Sequence, residues 1–171
     1  MRGLLLSILY AEACSRQLSI MSWNILAPHF ASPTKYPWIQ PTDLEWRTRQ
    51  ELIVDRICEL DADVVCLQEV EVALWPKLLA RLAKYDGELQ EMKRNHPVAN
   101  AILVRRGTVR VERVESRSRA LLAVLRDDTL GADVQSTPLY VANVHLEAGG
   151  AADKVAQRLQ QVSLRWIAHY L

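Results

Sequence analysis

Residues 62–69 read Ala-Asp-Val-Val-Cys-Leu-Gln-Glu, an apolar run that closes on two polar residues. A strand with one wet face alternates apolar and polar side chains, whereas a run without alternation belongs to a strand covered on both faces. A chain built around such a strand must lay material on either side of it, which excludes a simple helical bundle or a one-sided sheet. Glu69 then stands at the carboxyl end of this strand, a position where α/β folds place their sites.

The flanking sequence supplies those layers. Residues 18–26, Leu-Ser-Ile-Met-Ser-Trp-Asn-Ile-Leu, mix alternation with β-formers until Pro28 stops them, which predicts a strand that delivers Asn24 near its end. A loop with Pro33, Tyr36, Pro37, Trp38 and Pro41 follows. Thr42 and Glu45 then stand at capping-box spacing ahead of a helix. Its Trp46, Ile53, Ile57 and Leu60 fall on one face, with Arg47, Arg49, Glu51, Asp55 and Glu59 assigned to solvent. Leu78, Leu79 and Leu82 after Pro76 predict a second, short helix. Beyond it, strand-like runs at 99–105, 108–114 and 120–126 suggest an antiparallel meander. Residues 139–146 form another strand, and Val155, Leu159, Val162 and Trp166 mark a final amphipathic helix after Gly149-Gly150.

Composition narrows the class. A 50% hydrophobic content can fill a core of useful size, and a net charge of +1 gives no overall field to gather nucleic acid or acidic membrane. Phosphate chemistry, if present, must lie in a local site. Cys14, Cys58 and Cys66 are odd in number and widely spaced, which fits neither a disulfide framework nor a zinc site. Arg2, the apolar run 3–10 and Ala11-Glu12-Ala13 have a signal-peptide outline, but the run is short and cleavage after Ala13 leaves little spacer. The expected location is therefore intracellular, cytoplasm or nucleus, without stable membrane association. Residues 1–17 read as an extension and 18–171 as the domain.

Polar residues able to do chemistry gather at the ends of predicted strands: Asn24, Glu69, and the pair Asn143 and His145, which strict alternation puts on one face. Each has an ordinary explanation alone, as a turn, a solvated strand end or satisfied polar groups. A strand-end carboxylate can hold Mg²⁺, which takes few protein oxygens, keeps waters and couples to substrate phosphate. Tyr36 and Trp38 could stack on a base or simply anchor their loop. The arginines 105, 106, 110, 113, 117 and 119 could meet a phosphate backbone, but a solvated strand face is the better reading. His29, His96 and His169 have no partner that sequence identifies.

Together with their neighbours these residues become specific. Met21-Ser22-Trp23-Asn24-Ile25-Leu26-Ala27, Asp63-Val64-Val65-Cys66-Leu67-Gln68-Glu69-Val70, Asn100-Ala101-Ile102-Leu103 and Val141-Ala142-Asn143-Val144-His145-Leu146 occur in the order and rough spacing of one family. The chain resembles the endonuclease/exonuclease/phosphatase superfamily, the deoxyribonuclease-like phosphodiesterases. Trp46, Arg47, Arg49 and the Tyr36-Pro37-Trp38 loop look most like its deadenylase and nocturnin branch.

The resemblance implies an α/β fold, a four-layer α/β/β/α sandwich, incomplete in this chain. It implies that Glu69 binds Mg²⁺, with Mn²⁺ as a substitute, and that Asn24 lies beside metal and phosphate as a further metal contact. His145 would hydrogen-bond the scissile phosphate, Asn143 would orient its neighbours within the catalytic set, and Asn100 would contact substrate. The implied activity is Mg²⁺-dependent phosphodiester hydrolysis of nucleic acid, RNA ahead of DNA, with a deadenylase substrate foremost. Ala99 stands where glycine is common in the family, and neither a Gly-Asp-x-Asn nor a Ser-Asp-His element occurs in the sequence. The chain therefore reads as the amino-terminal half of the domain, inactive alone. One half is expected to supply mainly one sheet, with an open face for a second half or a protein partner. Two alternatives stand beside this: a non-catalytic fragment that binds a protein, and a phosphodiesterase acting on a lipid or phosphoinositide headgroup.

Overall fold

The computed structural model describes residues 17–92, 96–130 and 137–146. Its elements are β1 (Ile20–Asn24), α1 (Pro41–Leu44), α2 (Trp46–Leu60), β2 (Val64–Glu71), α3 (Trp75–Ala80), β3 (Tyr85–Leu89), β4 (Val98–Arg105), β5 (Val109–Ser116), β6 (Ala120–Asp127) and β7 (Leu139–Val144). They form a four-stranded sheet in the order β1-β2-β4-β3 and a three-stranded sheet in the order β5-β6-β7. β1 runs parallel to β2, with α1 and α2 in the crossover, and the remaining pairings are antiparallel. Both sheets come from these residues, which corrects the expectation that one half of the domain supplies mainly one sheet.

Why 62–69 lacks alternation is now visible. Val65 and Leu67 of β2 pack with Ile53, Val54 and Ile57 of α2, Leu78 of α3 and Leu103 of β4. Val64 and Cys66, on the opposite face, pack with Ile102 and Val104 and meet Val109, Leu121, Ala123 and Leu125 of the second sheet. Every one of these β2 side chains is at most 5% exposed. The layers are helix, sheet, sheet, as the expected sandwich requires. The helix predicted after Gly150 lies outside the described residues.

Local chemistry departs from the sequence reading in four places. The Thr42–Glu45 capping box does not form: Thr42 is inside α1, and Glu45 is the extended N-cap residue of α2 with no side-chain cap. Arg49, assigned to solvent, is buried, while Leu60, assigned to the core, is 38% exposed. The meander is divided, because β4 inserts between β2 and β3 in the first sheet and β5 opens the second. The turn between them uses Gly107 at φ +70°, a left-handed conformation that glycine adopts without strain.

β3 was not expected from the sequence, which offers no strand pattern over Tyr85–Leu89. Gly87 is there for packing: a Cβ would come within 2.8 Å of Leu103 and Trp75 and 2.9 Å of Leu79. Its missing side chain lets α3 lie directly on β3 and β4. Tyr85, 1% exposed, opens the strand and donates its hydroxyl to Ala62 O at 3.0 Å.

Candidate active site

The parallel register sets Asn24 opposite Gln68, so β1 ends beside the last turn of backbone before Glu69. There β2 is irregular: its register against β4 shifts between Leu67 and Val70, and Glu69 has φ +57°. Such a bulge re-aims one side chain out of the pleat. Here it turns the Glu69 carboxylate toward the β1 exit. Asn24 Nδ2 donates to Glu69 Oε1 at 2.8 Å, and the Ala27 amide donates to Oε2 at 3.3 Å. Asn24 Oδ1 accepts from Leu26 N at 2.9 Å, closing a turn in which Leu26 has φ +56°.

Arg49 holds that turn from beneath. Its Nε donates to Leu44 O at 3.1 Å, and Nη1 donates to Ile25 O at 2.9 Å and Leu26 O at 2.6 Å. Burial pulls its pKa below the ordinary arginine value, and the negative charge of Glu69 opposes that shift. Among the described residues Nη2 has no acceptor, and neither does Trp46 Nε1, whose ring carries the guanidinium at 5.7 Å. A charged group held this way fixes backbone and counters the carboxylate at once.

From the second sheet come Asn143 and His145. Asn143 is 2% exposed and joins the two sheets. Its Nδ2 donates to Leu67 O and Ala101 O, both at 2.8 Å, and its Oδ1 accepts from Gln68 Nε2 at 2.6 Å. Two residues on, His145 Nε2 lies 3.6 Å from Glu69 Oε1. Its backbone N–H donates to Arg119 O at 2.9 Å. Asn100, 2% exposed, donates Nδ2 to Arg119 O at 3.3 Å and to Asn143 O at 3.4 Å. Gln90 Oε1 accepts from Asn100 N at 3.1 Å.

The structure thus brings Asn24, Glu69 and His145 to one point, while Asn143 and Asn100 lie in the scaffold that fixes it. Asn24 was expected to touch the metal as well as the phosphate. Its amide nitrogen faces Glu69 and its oxygen faces Leu26 N–H, which is the geometry of a residue that orients the carboxylate. Arg49 and Gln68 were missed as site residues. For Gln68 the signal was available, since a glutamine at the end of an otherwise apolar two-faced strand needs a buried partner.

The donor set fits a hard, sparsely held cation. Glu69 is one carboxylate with its side chain 13% exposed, and the described residues contain no group of three or more His, Cys, Asp or Glu close enough to hold a metal. A lone carboxylate of this kind could hold a hard divalent cation only with further oxygens from water or a bound phosphate. The basic stretch is largely paired: Arg105 with Asp61 and Asp63, Arg106 with Asp86, Arg110 with Asp128, and Arg117 with Glu115. Tyr36 and Trp38 contact edge to face at 5.9 Å, with Trp38 76% exposed. His169 and Cys14 lie outside the described residues.

No protein-family model matches the chain. Over 76 residues it is 33% identical to the CCR4-Not complex 3′-5′-exoribonuclease subunit Ccr4 of Phaeosphaeria nodorum, covering 44% of this chain and 13% of that protein. Solved structures match its fold. ANGEL2, a 2′,3′-cyclic phosphatase, superposes with a TM-score of 0.70 at 23% identity over 89% of this chain and 48% of its own. The human nocturnin catalytic domain gives 0.61 at 21% identity, over 87% and 58%. An endonuclease/exonuclease/phosphatase from Bacteroides vulgatus gives 0.66 at 16% identity, over 89% and 60%. The chain spans about half the length of these structures and a small part of the curated relative.

Proposed function

We propose that this chain, which has the endonuclease/exonuclease/phosphatase fold, holds one side of a Mg²⁺-dependent phosphodiester hydrolysis site for nucleic acid, with an RNA 3′ end, poly(A) foremost, as substrate. The observation that carries this is the Glu69 carboxylate, fixed by Asn24 and the Ala27 amide, with His145 at 3.6 Å. Similarity to an exoribonuclease subunit supports RNA over other phosphodiesters.

Each residue has a distinct task in this reading. Glu69 would hold the cation, with Mn²⁺ able to replace Mg²⁺. When bound, the cation supplies charge neutralisation at the phosphoryl oxygens. Asn24 keeps the Glu69 carboxylate in one orientation. His145 lies where its ring N–H can donate to a phosphate oxygen, and a donor preset at developing charge stabilises the transition state without reorganisation. Arg49 keeps the β1 exit closed around the carboxylate. Asn143 and Gln68 fix β7 to β2, so that His145 arrives from the other sheet at a set distance. None of these groups is placed to activate the attacking water. The sequence has no Gly-Asp-x-Asn element to do so, and the 171 residues alone are expected to bind cation and phosphate while turning over little.

Electron paramagnetic resonance of Mn²⁺ with the purified chain and with Glu69→Gln tests the site without needing turnover. Binding that weakens at least tenfold in the variant supports the proposal; equal binding removes Glu69 from it. In parallel, an RNA with a poly(A) tail is incubated with Mg²⁺ or chelator. Cleavage that persists in chelator would overturn cation dependence.

A further inference from the structure

The end of β1 far from Asn24 is held by a second side-chain clamp, whose outer member is exposed. Ser19, one residue before the strand, donates both its backbone N–H and its hydroxyl to Asp63 Oδ2 at 2.9 Å, and its Oγ accepts from Asp63 N at 3.0 Å. Asp63 is 3% exposed, whereas Ser19 lies at the surface. We propose that Ser19 is a phosphorylation site, and that a phosphate there opens the clamp, releases β1 and loosens the Glu69 carboxylate. The inference deepens the cation-site reading as its regulation and rests on that reading only for what is regulated.

Four observations support it. The first is access: the β1 ladder begins at Ile20, and Ser19 joins the β2 backbone only through its carbonyl, which accepts from Val64 N at 3.1 Å. A local opening there costs few bonds. The second is sequence, since Arg16 stands three residues before Ser19, with Leu18 and Ile20 flanking it. A kinase with carboxylates at that offset selects such a segment by charge. The third is electrostatics. Among the described residues, the cluster behind Ser19 sets Asp61 and Asp63 against Arg105, which pairs with both, and Lys84, 3.3 Å from Asp61. A phosphate adds about −1.5 to −2 charges, and the ester oxygen can no longer donate. Asp63 then loses a donor and gains a like charge from which its burial leaves it no way to turn. The fourth is leverage. β1 has five residues and pairs, among the described residues, with β2 alone. Its other end sets Asn24 Nδ2 2.8 Å from Glu69 Oε1, so a strand frayed from Ser19 unsettles the group that orients the carboxylate. In the transfer, the Ser19 hydroxyl oxygen bonds to the γ-phosphorus of ATP as the bond bridging the β- and γ-phosphates breaks. ADP leaves, and the hydroxyl proton passes to the kinase.

The whole chain is incubated with MgATP and the catalytic subunit of cyclic-AMP-dependent protein kinase, and tandem mass spectrometry locates the phosphate. Ser19 is expected to take it, and Arg16→Ala to slow the transfer about tenfold, the worth of one charge-assisted contact. Electron paramagnetic resonance is then expected to show Mn²⁺ bound about fivefold or more weakly by the phosphorylated chain, the lower end of ordinary coupling between sites. Its urea midpoint is expected to fall by about 0.5 M or more. Ser19→Glu, with one negative charge, is expected to move both readings the same way by less. No phosphate on Ser19, or transfer as fast in Arg16→Ala, overturns the modification site. Phosphate on Ser19 in a chain whose Mn²⁺ affinity stays the same overturns the switch. A lower urea midpoint in a chain that binds no Mn²⁺ before or after treatment sinks the Glu69 centre instead and leaves the Ser19 clamp standing.

Discussion

Replacing Asn143 with leucine is expected to cost more stability than any other change at the site, although Asn143 touches no open surface. The side chain has nearly leucine's size, so the effect is one of hydrogen bonding. Asn143 Nδ2 serves Leu67 O and Ala101 O at the place where the β2 bulge interrupts the ladder to β4. Both carbonyls lie on residues that are 0% exposed. Each buried acceptor left without a donor costs about 1–3 kcal/mol. Gln68 Nε2 also loses Asn143 Oδ1, but keeps Ser22 Oγ at 3.2 Å and Cys66 O at 3.3 Å. The expected loss is therefore about 2–5 kcal/mol, a large share of the roughly 5–15 kcal/mol that holds a domain together. Urea unfolding followed by tryptophan fluorescence reads it. With a slope of about 2 kcal/mol per molar, the midpoint falls by about 1–2.5 M. A loss below about 1 kcal/mol would mean that water or the ladder satisfies those carbonyls, and that Asn143 is not the tie between the sheets.

Gly87→Ala is expected to destabilise by about 1–3 kcal/mol through overpacking against Trp75, Leu79 and Leu103, read as a lower Tm in calorimetry. An unchanged Tm would show that α3 shifts freely off β3. Tyr85 predicts alkaline sensitivity. Burial chiefly, then the Asp61 charge, pushes its hydroxyl up to about 12, against an ordinary value of 10.0. The unfolded chain releases this proton first, so the Tyr85 contribution is complete below pH 10 and is lost as pH rises toward 12. Tyr85→Phe is expected to flatten that part of the urea midpoint against pH; an unaltered slope would refute it.

How much of this was readable beforehand depended on whether a residue's role was local. β2 announced itself because burial on both faces leaves an apolar run, and the same run ended at Glu69 for anyone to see. β1, α2 and α3 followed from periodicity. β3 was hidden because Gly87 carries a turn's composition and a packing constraint that only its neighbours reveal. Arg49 was assigned to water on charge, yet besides Leu44 O its acceptors are the Ile25 and Leu26 carbonyls more than twenty residues earlier, which no local pattern encodes. The division of β4 and β5 between sheets has the same origin: antiparallel strands joined by a tight turn look alike whether or not they pair. Of the candidate residues, Asn24, Glu69 and His145 could be named, but not that Asn24 would face the carboxylate through its nitrogen.

The left-handed backbone at Glu69 has a consequence of its own. A branched or long side chain at φ +57° is held against its intrinsic preference, at a cost of order 1 kcal/mol, and glycine would sit there at ease. Fold and chemistry therefore pull in opposite directions at this residue. Glu69→Gly would ease that backbone while discarding the carboxylate, the bonds it accepts from Asn24 and Ala27, and the charge beside Arg49, so the strained position is kept by what the side chain does rather than by what the backbone prefers.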